Sequence, residues 1–187
     1  MRLIIQPIFL FRESSYRRFP YLKSVLEALF GFDNQTTIIN PPITHVPSSL
    51  FDSSRNQYLS DRLLSWLRQT LQPPEDTKVL AVCDFDAYFG KFNFCFGQAI
   101  IGGTVSAIYL VRLHPLESNN DNALQKLFQD RMVKEAIHEL GHTYGLRHCS
   151  NDDCIMFKSK TILDTDKKGR EFCEPCFDLL TVALERS

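Results

Sequence analysis

The stretch AIHELGHTYGLRHC, Ala136 to Cys149, constrains this chain more than any other. His138 and His142 are four residues apart, so on a helix they stack on one face and can offer two imidazole nitrogens to one ion. A helix that simply continued could not supply a third from that face. Gly145 can take the left-handed conformation that stops the helix and swings His148 back toward the same point. Three neutral nitrogens with one position open form the donor set of a catalytic zinc. Glu139, beside His138, can reach a water on that ion without being a ligand. Leu124, Phe128, Val133, Ile137 and Leu140 give the helix an apolar side, while the histidines occupy another.

Four of the six cysteines form a second pattern. Cys149 and Cys154 bracket four residues, and Cys173 and Cys176 form a C-x-x-C pair 18 residues further on. Two close pairs at that spacing match a structural tetrathiolate zinc site, against the alternatives of two disulfides or buried thiols. The compartment weighs in favour of metal. Leu3 to Phe11 is apolar, but it is short, is broken by Gln6 and Pro7 and has no small-residue cleavage site after it. It reads as a buried strand, which leaves the cytoplasm as the expected location and reduced thiols as the expected state. Cys149 directly follows His148, so a closed thiolate site would fix the loop presenting the third imidazole. Cys83 and Cys95 fall in predicted strands and read as core.

The rest of the chain supplies the frame. Strands are predicted at Arg2–Phe9, Thr36–Asn40, Lys78–Phe85, Asn93–Ala99 and Thr104–Leu113. Helices are predicted at Tyr16–Phe30, Leu59–Leu71, from the polar cluster Ser118–Asn122 to about Tyr144, and at Asp178–Leu184. Pro41–Ser54 reads as a long loop. The order β-α-β-α-β-β-β-α gives a mixed sheet with helices against it, in residues 1–145. Residues 146–187 hold too few aliphatics to fold alone, so metal is expected to supply what the core cannot. No apolar stretch is long enough for a bilayer, and a formal charge of -1 gives no general attraction to nucleic acid. Lys158, Lys160, Lys167, Lys168 and Arg170 raise a DNA-binding alternative, against which stands the plainer reading of a solvated loop.

With both patterns in hand, the chain resembles the archaemetzincins, a family of metzincin metallopeptidases. The resemblance rests on HELGHTYGLRH, then Cys149, four residues, Cys154, Ile155 and Met156, and finally Cys173-Glu174-Pro175-Cys176. Arg55-Asn56-Gln57-Tyr58 and Gly102-Gly103 add to it more weakly. It implies an α/β (α+β) fold: a twisted mixed sheet with one antiparallel edge strand, a backing helix, a zinc-site helix and a small zinc-stabilised C-terminal subdomain. It implies two zinc ions, one on His138, His142 and His148, the other on Cys149, Cys154, Cys173 and Cys176. It further implies Glu139 as general base and Met156 in a Met-turn under the catalytic zinc. The expected function is zinc-dependent peptide-bond hydrolysis on peptides or proteins, with no nucleic-acid or membrane partner. The alternative is a catalytically weak zinc protein that binds peptides as an interaction module. Tyr144, Tyr88 and Tyr109 stay open as oxyanion donors, as does internal against terminal cleavage.

Overall fold

The structure is a computed structural model in which residues 1–10, 18–32, 37–115 and 122–186 are described. Its principal sheet has five strands in the order β2-β1-β5-β8-β7: β1 (Arg2–Ile8), β2 (Thr37–Ile39), β5 (Thr77–Cys83), β7 (Gly97–Ala99) and β8 (Val105–Tyr109). All pairings are parallel except β7 with β8, so one antiparallel strand lies at the edge. Strand alternation explains the two cores. In β5, Leu80 and Val82 face one side with Leu3, Ile5 and Ile108, while Val79, Ala81 and Cys83 face the other with Val105 and Ala107. Both faces are apolar because helices cover both.

Helix α2 (Ser60–Leu71) covers the second face with Leu63, Leu64 and Leu67. Helices α1 (Phe19–Phe30) and α3 (Asn122–Thr143) cover the first. In α1, Leu22, Leu26 and Phe30 recur at helical spacing, Pro20 suits the first turn, and Gly31 at φ 71° ends the helix. The parts of the predicted first helix, second strand and polar cluster that fall on Tyr16, Arg17, Thr36 and residues 118–121 lie outside the described residues.

Three features depart from the expected layout. The edge strand spans only Gly97–Ala99, not Asn93–Ala99, because Cys95 donates its backbone N–H to Ala87 and not into the principal sheet. A second, three-stranded sheet joins β3 (Phe51–Asp52), β4 (Gln57–Leu59) and β6 (Ala87–Tyr88), partly within the predicted loop. Strands of two or three residues carry too little alternation to read from sequence. A short helix, α4 (Ile162–Lys167), also went unforeseen, although its cap is visible in sequence: the Thr161 hydroxyl and Asp164 carboxylate satisfy each other's backbone N–H groups. The closing helix, α5 (Glu174–Glu185), begins four residues earlier than predicted.

Residues 146–186 pack against α1 and α3. Ile155, Met156, Phe172 and Leu180 join the core that holds Phe30 and Leu140. A polar clamp adds to it. Arg131 of α3 makes a bidentate pair with Asp166 at 2.6 and 2.8 Å, and Lys134 donates to the carbonyls of Thr165 and Asp166. Lys168, with no exposed side chain, lies 2.9 Å from the Glu135 carboxylate, which also accepts from Thr165 Oγ1. From Arg131 to Thr143 every residue of α3 is buried, so the polar side read from the sequence is covered as well.

Candidate active site

Helix α3 ends where the site begins. Gly145 takes φ 89°, and the N–H of Leu146 returns to the carbonyl of Gly141 at 3.2 Å, closing the helix in a Schellman-type turn. Two further groups hold this end. Gly102 donates its N–H to the His142 carbonyl, and the Lys78 ammonium donates to the Thr143 and Gly103 carbonyls, a cation at the negative helix terminus. The two-glycine turn at 102–103 thus braces the C-terminal end of α3.

Each helical imidazole is oriented from outside the helix. Nδ1 of His138 is 2.8 Å from the Ile155 carbonyl, and Nδ1 of His142 is 2.7 Å from the Leu146 carbonyl. A carbonyl can only accept, so both Nδ1 atoms carry the proton and both Nε2 atoms present lone pairs. Those Nε2 atoms are 3.2 Å apart. Two lone pairs at that distance repel unless a cation lies between them. Tetrahedral zinc with nitrogens at 2.0–2.1 Å would separate them by about 3.3 Å. His148 completes the set, its ring centroid 5.3 Å from His138 and 4.9 Å from His142. One ligand atom from each of the three lies within 4.8 Å of the others, so the donor set fits a single ion.

Burial depresses all three imidazoles. His138 and His142 lie below the usual range chiefly through desolvation, and His148 is pushed down to about 4 by burial, then by His142 and Lys158. Each is therefore neutral and ready to ligate at neutral pH. Glu139 lies beside them, 4 % exposed, with Oε2 buried and lacking a protein hydrogen-bond partner among the described residues. Desolvation, then the charge of Glu135, raises its carboxyl well above the usual range, and Lys168 partly opposes this. Gly97 of β7 is what admits Glu139: a Cβ there would fall 2.5 Å from Glu139 Cγ and 2.6 Å from Oε1. Met156 is buried, and a Cβ on Gly141 would meet its sulfur at 2.6 Å.

Cys149, Cys154, Cys173 and Cys176 also offer sulfur atoms within 4.8 Å of one another, and all four are free thiols. Cys149 and Cys173 sulfurs are 3.7 Å apart, far beyond a disulfide. Zinc–sulfur distances of 2.3 Å in a tetrahedron would give about 3.8 Å. Backbone N–H groups of Asn151 and Cys173 point at the sulfurs of Cys149 and Cys154. The Cys176 N–H, at the start of α5, lowers the Cys173 thiol. The other two cysteines behave differently. Cys83 is buried in β5, but Cys95 lies outside any strand and lines the cleft, its thiol pushed up to about 12 by burial.

The three tyrosines left open as oxyanion donors do not line the cleft. Tyr109 is buried against Ser60, Tyr88 donates to Asp52 and Tyr144 to the Met1 sulfur. Sequence reasoning missed Gly97, Glu135 and Lys168. Glu135 carried a signal, lying one turn before Glu139 on the same helix, but Gly97 and Lys168 carried none that spacing could reveal.

The cleft above the histidines has a volume of about 680 Å³. Its upper wall is the 89–99 segment ending in β7, and its lower wall includes Arg147, Lys158, Ser159 and Lys160. A five-stranded sheet with an antiparallel edge strand above, a histidine-bearing helix below it, and three imidazoles turned toward one point define a zinc metallopeptidase of the metzincin type.

Comparison with known proteins agrees. The model of peptidase family M54 matches residues 22–182. Archaemetzincin of Pyrococcus horikoshii is 39 % identical over 137 residues, covering 73 % of this chain and 72 % of that protein. The crystal structure of archaemetzincin from Methanopyrus kandleri superposes with a TM-score of 0.84 at 28 % identity, covering 100 % of this chain and 96 % of the other. That from Archaeoglobus fulgidus gives 0.77 at 30 % identity, covering 96 % and 99 %. The chain belongs to peptidase family M54, the archaemetzincins.

Proposed function

We propose that His138, His142 and His148 hold the catalytic zinc, that Cys149, Cys154, Cys173 and Cys176 hold a second, structural zinc, and that Glu139 is the general base of peptide-bond hydrolysis. The observation that carries this reading is the pair of Nε2 lone pairs facing each other at 3.2 Å, both with protonated Nδ1 atoms. When bound, zinc supplies Lewis acidity that acidifies a water and polarises the scissile carbonyl. Glu139 accepts the proton of the attacking water on its unpartnered carboxylate oxygen and passes it to the leaving amine nitrogen. Its burial makes it a stronger base than a solvated carboxylate. The free edge of β7 pairs with an extended peptide through main-chain hydrogen bonds, which gives affinity with little dependence on sequence.

The chain divides into residues 1–145 and 146–187, and among the described residues the first part lies above the cleft and the second below it. The lower part orients the upper one's ligands through the Ile155 and Leu146 carbonyls, and Met156 packs its sulfur against Gly141, beside His142. Peptides or proteins are the substrates, not nucleic acid: of the five basic residues downstream, Lys168 is buried on Glu135 and Arg170 is paired with Asp130. The cytoplasm is the compartment that keeps four thiols reduced for metal. No helix among the described residues is long and apolar enough to cross a membrane. Elemental analysis tests the metal assignment. Two zinc ions per chain are expected, with one left in His138→Ala. A single zinc that disappears in His138→Ala would remove the structural site.

A further inference from the structure

The cleft has an unbalanced set of charges. Two carboxylates line it, and both are committed: Glu135 is paired with Lys168, and Glu139 lies against Gly97 beside the imidazoles. Three cations line it as well, Arg147, Lys158 and Lys160, all exposed. No carboxylate among the described residues lies within ion-pairing distance of any of them. Lys158 is the most placed of the three. Its ammonium sits 4.8 Å from the centre of the Phe92 ring, reaching from the lower wall to the upper one, and its charge is felt at His148.

The backbone that carries Phe92 is held in place. Arg55 stacks on Tyr88 and donates to the Phe92 carbonyl at 3.0 Å, while Gln57 donates to the Asn93 carbonyl at 2.9 Å. The segment RNQY, Arg55 to Tyr58, thus braces the upper wall of the cleft. Phe89, Phe92 and Phe94 line that wall. A ligand entering meets aromatic faces on one side and unpaired positive charge on the other.

Resting on the peptidase reading above, we infer that the cleft selects peptides carrying a carboxylate next to an apolar residue close to the scissile bond, with Lys158 as its principal partner and Arg147 and Lys160 adding to the field. The carboxylate can come from an Asp or Glu side chain or from a free C-terminus. Neutral peptides leave the three cations without a partner, and basic ones meet them with like charge.

Binding to the zinc-loaded, full-length Glu139→Gln protein separates the sources, because the peptide stays uncleaved. The probes are fluorescent peptides with a Phe-containing core, differing only in Glu for Gln beside it, and in a free or amidated C-terminus. At low salt the acidic member of one pair is expected to bind about five- to tenfold tighter, with the advantage shrinking at high salt. The pair that shows it names the source. In Glu139→Gln carrying Lys158→Met, an exposed change that does not disturb folding, the ratio should fall toward one. Equal binding of both pairs, or preference for a Lys-containing peptide, overturns the inference. If the acidic peptides bind selectively but the wild type cleaves none of the probes, the hydrolytic reading fails and the selectivity stands.

Discussion

Helix α3 and the segment that follows it each position a set of side chains that we propose as metal ligands, by different means. In α3, His138 and His142 ride on a regular helix packed against the sheet through Phe128, Met132, Ile137 and Leu140, and their spacing follows from helical geometry alone. Of the four cysteines, only Cys173 and Cys176 are spaced by a regular element, the start of α5, while Cys149 and Cys154 sit on irregular backbone. There, position depends on the Cys149–Met156 backbone bond, on N–H groups aimed at sulfur, and on the clamp of Arg131, Lys134 and Lys168. The rigid region nevertheless depends on the other: both orienting carbonyls, Leu146 and Ile155, come after the helix. A ligand pair can be spaced by a helix, but the ring orientation must come from elsewhere in the fold.

Breaking the less regular region should have the largest effect. Cys173→Ser removes one of four thiolates, and structural zinc contributes on the order of 10 kcal/mol of folding free energy. Loss of one zinc and collapse of the melting transition are expected. A variant that melts like wild type would mean that the cysteines hold no structural metal. Next comes Lys168→Met, which leaves Glu135 buried without its partner. Breaking such a pair costs about 3–5 kcal/mol, read as a drop in denaturant midpoint at unchanged slope. The double variant with Glu135→Gln should recover part of the loss. If it recovers none, the two residues are not coupled.

The remaining predictions probe the helical region. Glu139→Ala should keep both zinc ions and lower peptide turnover by about a hundredfold or more. Activity equal to wild type would remove Glu139 from the mechanism. Gly97→Ala acts on the same residue from the sheet. The inserted Cβ would strike the buried Glu139 side chain from Cγ to Oε1, not backbone, so melting should change less than turnover. Glu139 must move, and a shift of about 1 Å in a reacting group can cost up to a hundredfold. A fall in kcat at constant zinc content would confirm the contact, and unchanged kcat would refute it.

The smallest effect is in pH. The imidazoles are depressed, so their neutral, ligating form persists below the ordinary value near 6.5 and is lost only as pH falls through the depressed range, about 4 for His148. Catalytic zinc should therefore persist below pH 6.5 and be lost by the time pH falls to about 4, where His148 protonates, measured by metal analysis after rapid desalting. Lys158→Met should move that release to higher pH, since it removes a charge that opposes His148 protonation.

The parts of this protein that depend on short-range geometry were legible from the order of residues. Helical spacing joined His138 to His142, Gly145 fixed the turn, and the paired cysteines marked the second cluster, because residues a few positions apart have few ways to be arranged. Alternation and apolar runs likewise located β1, β5 and α2. Whatever depends on distant segments meeting emerged from the packing of the fold. It covered the polar side of α3 with residues 146–186, placed Gly97 against Glu139, buried Lys168 on Glu135 and took Cys95 out of a strand into the cleft wall. Spacing along the chain cannot report these contacts, because each is set by how two separately formed elements pack. A buried ion pair or a glycine under a carboxylate looks, in sequence, like any surface charge or any loop residue.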